Sequence, residues 1–417
     1  MTASKKVVPL GVRNIGDSCH MNAILTSLAT SDSFRLYVRV VAVTCGGFAA
    51  VLNNVLRRMD GDQRGKGLVE PYDLASALRL AGYSSARPTQ TRQNSILSSA
   101  QSTSQRTCTF VSFTCSYRVD FPRDADETYD KILSLLTDQM KSAAASQRAE
   151  SLDLRSVRNG HGRSFKSRRY QILPSTGYLG RRLTCGVCGY SEGLKLETFN
   201  RLSFAMPPKE FDEVHLTKCL HEVTGKEELI DGIYCWTCES STPQTLSYKI
   251  ARLPQMLCVH LKRLNWSAET GAPVRDDRPA VINLKITASQ LTSGHGIAEQ
   301  NGVEYRLRSV VLHSEHTGRS GGHYTCLRYA GRHVEKGIVS LVQDGVDNES
   351  GVWYCVNDDS VTQSGLLEGE RVKSAYMLFY EAVSETNNGS FVLRETVGFD
   401  RHEQSRLGRS APSYGTG

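Results

Sequence analysis

From Cys19 onward the apolar residues Met21, Ile24, Leu25 and Leu28 recur at three- and four-residue spacing. That is the period of a helix with a buried face. The stretches "LTSLATSDSFRLYVRV", "FAAVLNNVLRRM" and "PYDLASALRLAG" repeat the pattern, and "DADETYDKILSLLTDQM" places Tyr129, Ile132, Leu133 and Leu136 on one side. From Gly180 the period changes to short alternating runs, clearest in "YRLRSVVLHS", "HYTCLRYA", "VWYCVNDDSV" and "SAYMLFYEAV". Alternation between Gly, Asp and Ser turns predicts an antiparallel sheet. The chain therefore reads as α+β, a helical lobe followed by a β-rich lobe.

Three stretches fall outside both periods. Residues 84–106 are rich in Ser, Thr, Gln and Arg and hold too little apolar surface to offset their ordering, so they read as a disordered insertion. "TCTFVSFTCSYRVDF" after it reads as a short strand. Residues 143–169 are polar and basic and read as mobile, and the chain after 384 reads as a polar tail.

Composition narrows the picture only slightly. The 417 residues are 39% hydrophobic, enough for a sizeable core. No apolar run reaches the ~18 residues that a membrane span needs. The opening "MTASKKVVPLGV" is too short in apolar residues for a secretory signal. A net charge of +7 is too weak to select among nucleic acid, membrane surface and acidic protein. Without a secretory signal, the twelve cysteines suggest metal, catalysis or core more than disulfides.

Cys19 follows the turn and cap types Gly16, Asp17 and Ser18, so it opens a helix. Unpaired N–H groups and the helix dipole favour a thiolate there. By position alone, a small buried hydrophobe is the simpler reading of such a cysteine. His323 follows Ser320, Gly321 and Gly322 and opens a strand, from which an imidazole can face a cleft. His313 reads as structural and His316 as a solvated loop residue. Asn357, Asp358 and Asp359 end a later strand. A thiol protease needs a thiolate, an imidazole and a group that fixes the imidazole, and the order Cys, His, Asn is present. Taken alone, the "NDD" stretch also reads as an ordinary polar turn.

Two CxxC pairs, Cys185 with Cys188 and Cys235 with Cys238, supply two knuckles of a four-thiolate structural zinc site. Four independent core cysteines or redox pairs are the competing readings. Cys219, between the pairs, reads as core. A nucleic-acid-binding zinc ribbon would want basic residues interleaved with stacking aromatics. Only Arg181, Arg182, Tyr190, Tyr234 and Trp236 fit that pattern.

Together, "GVRNIGDSCHMNAILTSL", "LPQMLCVHLKRLNW", "YRLRSVVLHSEHTGRSGGHYTCLRY", "WYCVNDDSV" and "SAYMLFYEA" resemble the cysteine box, histidine box and flanking strands of the ubiquitin-specific protease family, over roughly residues 8–382. The resemblance implies a papain-like cysteine protease fold with a helical thumb, a β-rich palm and zinc-bearing β fingers. It implies a thumb lobe over 8–83, an insertion over 84–121, the rest of the thumb over 122–165, fingers over 166–250, a palm over 251–383 and a tail over 384–417. It makes Cys19 the nucleophile, His323 the general base, Asn357 the third member, Asp358 an adjacent carboxylate and Asn14 an oxyanion-hole amide. It implies a deubiquitinase holding structural Zn2+ at Cys185, Cys188, Cys235 and Cys238. Its partners are ubiquitin and ubiquitinated proteins, without nucleic acid or a membrane span in this chain. A catalytically weak ubiquitin-binding scaffold of the same fold is the alternative.

Departures are visible. His20 stands where the family has an aromatic, and Asp17 and Ser18 replace Asn-Thr, the acid opposing thiolate formation. The family's Gln-Gln-Asp-Ala-x-Glu box survives only as "RDADE". The stretches "KKVVPLGVRNIG" and "LCVHLKRLNWSAETGAPVRDDRPAVIN" are most similar to the mitochondrial outer-membrane member, which implies a cytoplasmic protein at the cytosolic face of that membrane. The Gly321–Gly322 pair suits either a plain turn or one wall of a narrow passage for the ubiquitin tail.

Overall fold

The computed structural model describes residues 8–59, 67–83, 124–153, 172–191, 193–207, 211–219, 227–267, 271–291, 303–314, 322–330, 352–366, 371–385 and 391–392. The expected insertion 84–121, with its short strand, lies outside them, as do His316 and Gly321.

The N-terminal lobe holds α1 (Cys19–Leu28), α2 (Asp32–Cys45), α3 (Gly47–Arg58), α4 (Tyr72–Tyr83) and α5 (Ala125–Asp153). Every residue of α1 from His20 to Leu28 is buried, because the helix packs against α5 on one side and the palm sheet on the other. The apolar run after α1 does not continue as one helix. It breaks at Ala29–Ser31, where Ser31 Oγ accepts from the Phe34 N–H at 3.2 Å and caps α2. In the other direction, α5 runs on to Asp153, into the stretch expected to be mobile. Its "KSAAASQRAESLD" end is built largely of strong helix formers.

The palm is a twisted sheet in the order Ser360–Ser364, Val352–Asn357, His323–Ala330, Val303–Ser314, Ala375–Glu385, Met256–Lys262 and Leu202–Ala205. Its pairs are antiparallel except for the last. The strand Met256–Lys262 is buried from Met256 to Leu261. Alternate residues serve different cores. Met256 and Cys258 join Met21, Phe34 and Tyr129 under the helices, while Leu257, Val259 and Leu261 join Phe204, Tyr305 and Leu378 on the far face. A strand covered on both faces reads as an unbroken apolar run rather than an alternating one.

The fingers are a separate antiparallel sheet, ordered Lys195–Phe199, Gly177–Cys185, Ser240–Arg252 and Glu227–Cys235. The span 166–250 is not purely fingers, because Leu202–Ala205 returns to pair with the palm strand Met256–Lys262. The expected tail also begins inside the fold, since Phe391–Val392 pairs with Ser384 and Glu385.

One buried carboxylate ties the lobes together. Glu381, on a palm strand and 2% exposed, accepts from Ser31 Oγ at 2.5 Å and from the Ser33 N–H at 2.9 Å, at the start of α2. Burial outweighs these donors and pushes its pKa up to about 7, against an ordinary value of 4.5. A raised carboxyl pKa stabilises the fold below about 4.5, and that contribution is lost as pH rises through about 7. We therefore expect Glu381→Gln to flatten the fall in melting temperature between pH 5 and pH 8. A melting temperature with the same pH dependence in both chains would contradict this.

Candidate active site

Cys19 is the first residue of α1 and is half-buried. Ser18 stands at the N-cap, but its hydroxyl makes no cap bond. It accepts instead from the Ile15 N–H at 2.9 Å and lies 3.3 Å from Asn14 Oδ1, stiffening the turn before the cysteine. Burial raises the Cys19 thiol pKa above its ordinary value. The N–H groups of Tyr324, His20 and Cys19 itself act against that rise, as a helix N-terminus should. Asp358 is the carboxylate among the leading influences that oppose the thiolate, and the Asp17 charge acts on His20. The helix that Cys19 opens packs on the strand that His323 opens.

His323 Nε2 and Asn357 Oδ1 are 2.7 Å apart. The two residues come from neighbouring strands, 34 positions apart in sequence. An amide oxygen at Nε2 holds that nitrogen as N–H and leaves Nδ1 as the basic atom.

Asp358 does not share this bond. It sits at φ +50 in the two-residue turn between Asn357 and Ser360, a left-handed conformation that Asp tolerates. Its Oδ2 accepts from Asn14 Nδ2 at 2.8 Å and its Oδ1 from Asn22 Nδ2 at 2.7 Å. Its backbone carbonyl accepts from the Val12 N–H at 2.8 Å. One residue therefore ties the histidine hairpin to the segment before the nucleophile and to α1. Asn22 was not singled out from sequence. Its only sequence signal is an amide one turn after Cys19, beside the apolar Met21 and Ala23; the fold buries it to 2% exposure.

The reduced "RDADE" box is engaged. Asp124 accepts from Tyr324 OH at 3.0 Å and from Tyr376 OH at 2.9 and 3.0 Å, and from the Asp126 N–H at 2.6 Å. His20, also buried, lies within the fields of Asp124, Asp17 and Asp358, yet burial dominates and lowers its pKa to about 4, so it is neutral near pH 7. His313 has the expected structural place, its ring stacked on Tyr324 at 4.2 Å. Gly322 adopts φ +67, and a Cβ there would lie 2.8 Å from the Ser314 carbonyl oxygen and 3.0 Å from His313 Cδ2. The turn and the approach of His313 account for this glycine.

At the end of the fingers, Cys185, Cys188, Cys235 and Cys238 converge with their sulfurs all within 4.8 Å of one another. Sγ–Sγ distances are 3.9 Å for Cys185 and Cys238 and 3.6 Å for Cys188 and Cys235. The Cys188 N–H and the Thr242 hydroxyl hold the Cys185 thiol down at about 6. This four-sulfur cluster could hold a metal ion. Cys219 is buried in the second core, as expected.

The model of the ubiquitin carboxyl-terminal hydrolase family matches residues 10–380. The chain belongs to that family. Ubiquitin carboxyl-terminal hydrolase 2 of Rattus norvegicus is 26% identical over 90% of this chain and 54% of its own length. The Gallus gallus protein of the same name is 30% identical over 51% of this chain and 52% of its own. Ubiquitin carboxyl-terminal hydrolase 3 of Homo sapiens is 25% identical over 89% of this chain and 67% of its own. The chain thus spans about half the length of the first two relatives. Among solved structures, the SAGA Ubp8/Sgf11/Sus1/Sgf73 DUB module bound to ubiquitin aldehyde matches 92% of this chain and 71% of its own, with TM-score 0.58 and 18% identity. The yeast module with an Sgf73 substitution matches with TM-score 0.56 and 17% identity, over 92% of this chain and 70% of its own. These likenesses establish the ubiquitin-specific protease fold for this chain.

The Asp358 charge raises the Cys19 pKa, so removing it should lower that pKa. Asp358→Asn is expected to shift the midpoint of Cys19 alkylation to lower pH, measured as iodoacetamide rate against pH. A midpoint that stays or rises would show that this carboxylate does not act on the thiol.

Proposed function

We propose that the chain hydrolyses the isopeptide or peptide bond at the C-terminal glycine of ubiquitin, with Cys19 as nucleophile and His323 as base. The observation that carries this reading is the 2.7 Å pairing of His323 with Asn357 at the start of the palm strand His323–Ala330, against which α1, opened by Cys19, packs. Family membership supports the reaction class. The DUB module of the same fold bound to ubiquitin aldehyde supports ubiquitin as the ligand. Ubiquitinated proteins are then the substrates.

The residues assign the steps. His323 Nδ1 takes the Cys19 proton, and the thiolate attacks the glycine carbonyl carbon. Asn14 gives one amide hydrogen to Asp358, which fixes its orientation. Its second amide hydrogen is the donor proposed for the oxyanion. The imidazolium returns its proton to the leaving amine as the C–N bond breaks, and a thioester remains on Cys19. Water, deprotonated by His323, then releases the ubiquitin carboxylate and the free thiol. Asn357 keeps the imidazole in the required tautomer and orientation throughout.

The metal proposed for the finger cluster is Zn2+. Four sulfurs about 2.3 Å from a tetrahedral centre lie roughly 3.8 Å apart, and two of the cluster's pairs lie 3.6 and 3.9 Å apart, with all four sulfurs within 4.8 Å of one another. Cys185, Cys188, Cys235 and Cys238 would hold it. A closed four-thiolate shell leaves no open position, so the ion would act on folding alone. The proposed location, cytoplasmic at the cytosolic face of the mitochondrial outer membrane, rests on the sequence likeness. No helix of the described residues is long and apolar enough to cross a membrane.

A ubiquitin-binding scaffold of low activity is the second reading, favoured by the burial and the Asp358 charge that raise the Cys19 pKa. A ubiquitin probe with a C-terminal electrophile separates the two. The hydrolase reading expects covalent labelling at Cys19, and expects Cys19→Ala to abolish cleavage of ubiquitin conjugates while ubiquitin binding remains. Cleavage by the purified Cys19→Ala chain, or binding without labelling by the unaltered one, would overturn it.

For the metal, elemental analysis of protein purified without chelator should find zinc at about one ion per chain. Cys188→Ser should lose it together with thermal stability. Zinc-free protein of normal stability would refute the assignment.

A further inference from the structure

We propose that Gly11 is a positioning residue for the catalytic hairpin, its missing side chain being what lets the Asp358–Asp359 turn close on the segment that leads to Cys19. The inference rests on the hydrolase reading above. A Cβ at Gly11 would fall 2.6 Å from the carbonyl carbon of Asp359 and 2.8 Å from its Cα, and nearer still to the carbonyl oxygen. These are backbone atoms in the middle of a two-residue turn, so no side-chain rotation relieves the contact. Gly11 is absent from the glycines with positive φ. Alanine can therefore adopt its backbone conformation, and the substitution tests space alone.

The segment around Gly11 has little room to retreat. On its far side the Leu10 N–H donates to the Met59 carbonyl at 3.1 Å, and the Val69 N–H donates to the Gly11 carbonyl at 2.9 Å. The Arg13 N–H donates to the Val69 carbonyl at 2.8 Å. A methyl group at position 11 therefore drives the turn outward. That turn carries Asp358, and Asn357 is the residue just before it, paired with Ser360. Moving it withdraws the acceptor from His323 Nε2 and the carboxylate from Asn14 and Asn22. Displacing a positioned group by about 1 Å can cost on the order of 100-fold in rate.

The test uses the full chain and a ubiquitin bearing a C-terminal fluorogenic amide. Gly11→Ala should lower kcat by about tenfold or more, with KM changed much less, because the hairpin acts on the imidazole rather than on ubiquitin. The double variant Gly11→Ala with Asn357→Ala should lose less than the two single losses combined, because the part of the Gly11→Ala loss that runs through Asn357 is already gone. Gly193→Ala, where a Cβ meets open space, serves as the control for a glycine-to-alanine change. Thermal unfolding and Cys19 alkylation by iodoacetamide report whether each variant is folded. A folded Gly11→Ala with kcat within about twofold of the unaltered chain, or a loss that adds fully to that of Asn357→Ala, would overturn the proposal. A Gly11→Ala chain that does not fold would assign the glycine to folding and overturn it as well. An unaltered chain that does not cleave the substrate refutes the hydrolase reading itself, an outcome distinct from a normal Gly11→Ala in an active background.

Discussion

The carboxylate of Asp358 is the point on which the arrangement of the site depends. From its place in the hairpin it binds both the segment before the nucleophile and α1. Its partners are two amides and a backbone N–H from elements that meet only in the folded chain. Hydrogen bonds to an ionised acceptor are stronger than neutral ones, and they lose strength steeply with distance and angle. Two such bonds to the carboxylate and one neutral bond to the backbone carbonyl therefore fix three elements relative to one another. The cost is electrostatic, because the same charge makes the Cys19 thiolate harder to form. Geometry and nucleophile activation are in tension at this residue. The helix N-terminus and the Tyr324 N–H act on the other side of that balance.

A second layer holds the palm behind the site. Asp124 gathers the hydroxyls of Tyr324 and Tyr376, and His313 stacks on Tyr324. The residue after His323 is thus held through both its ring and its hydroxyl. Glu381 performs the corresponding task farther away, joining the start of α2 to the palm. Each link pairs a carboxylate on one lobe with hydroxyl or N–H donors on another. The lobes share an apolar core, but apolar contact is non-directional, and these polar bonds set the register in which it forms.

Much of this was legible in the order of residues. The start of α1 at Cys19 follows from turn residues before a helical period, and the palm strands follow from their alternation. The four-sulfur cluster follows from two CxxC pairs, which a chain rarely carries for separate reasons. The parts that were not legible are those decided by distant partners. The break at Ala29–Ser31 opens the polar run Thr30–Ser33, which a helical reading of the whole stretch passes over, and the capping of α2 by Ser31 fixes it. Leu202–Ala205 looks like one more finger strand until its pairing with Met256–Lys262 is known. Asp17 is the nearer acid in sequence, but Asp358, far off along the chain, is the acid that the fold brings among the leading influences on the thiol. Asn22 gave only a weak sign, a polar residue on a buried face, and nothing in "NDD" says which acid or amide turns toward the histidine.

The central claim is that the Asp358 contacts hold hairpin, approach segment and α1 as one unit. Hydrogen–deuterium exchange on the unaltered chain and on Asp358→Ala tests it most directly. The account predicts faster exchange in residues 10–22 and in residues 352–364 together, with the finger strands 227–252 unchanged. Faster exchange confined to the turn around Ser360, with residues 10–22 as protected as before, would contradict it.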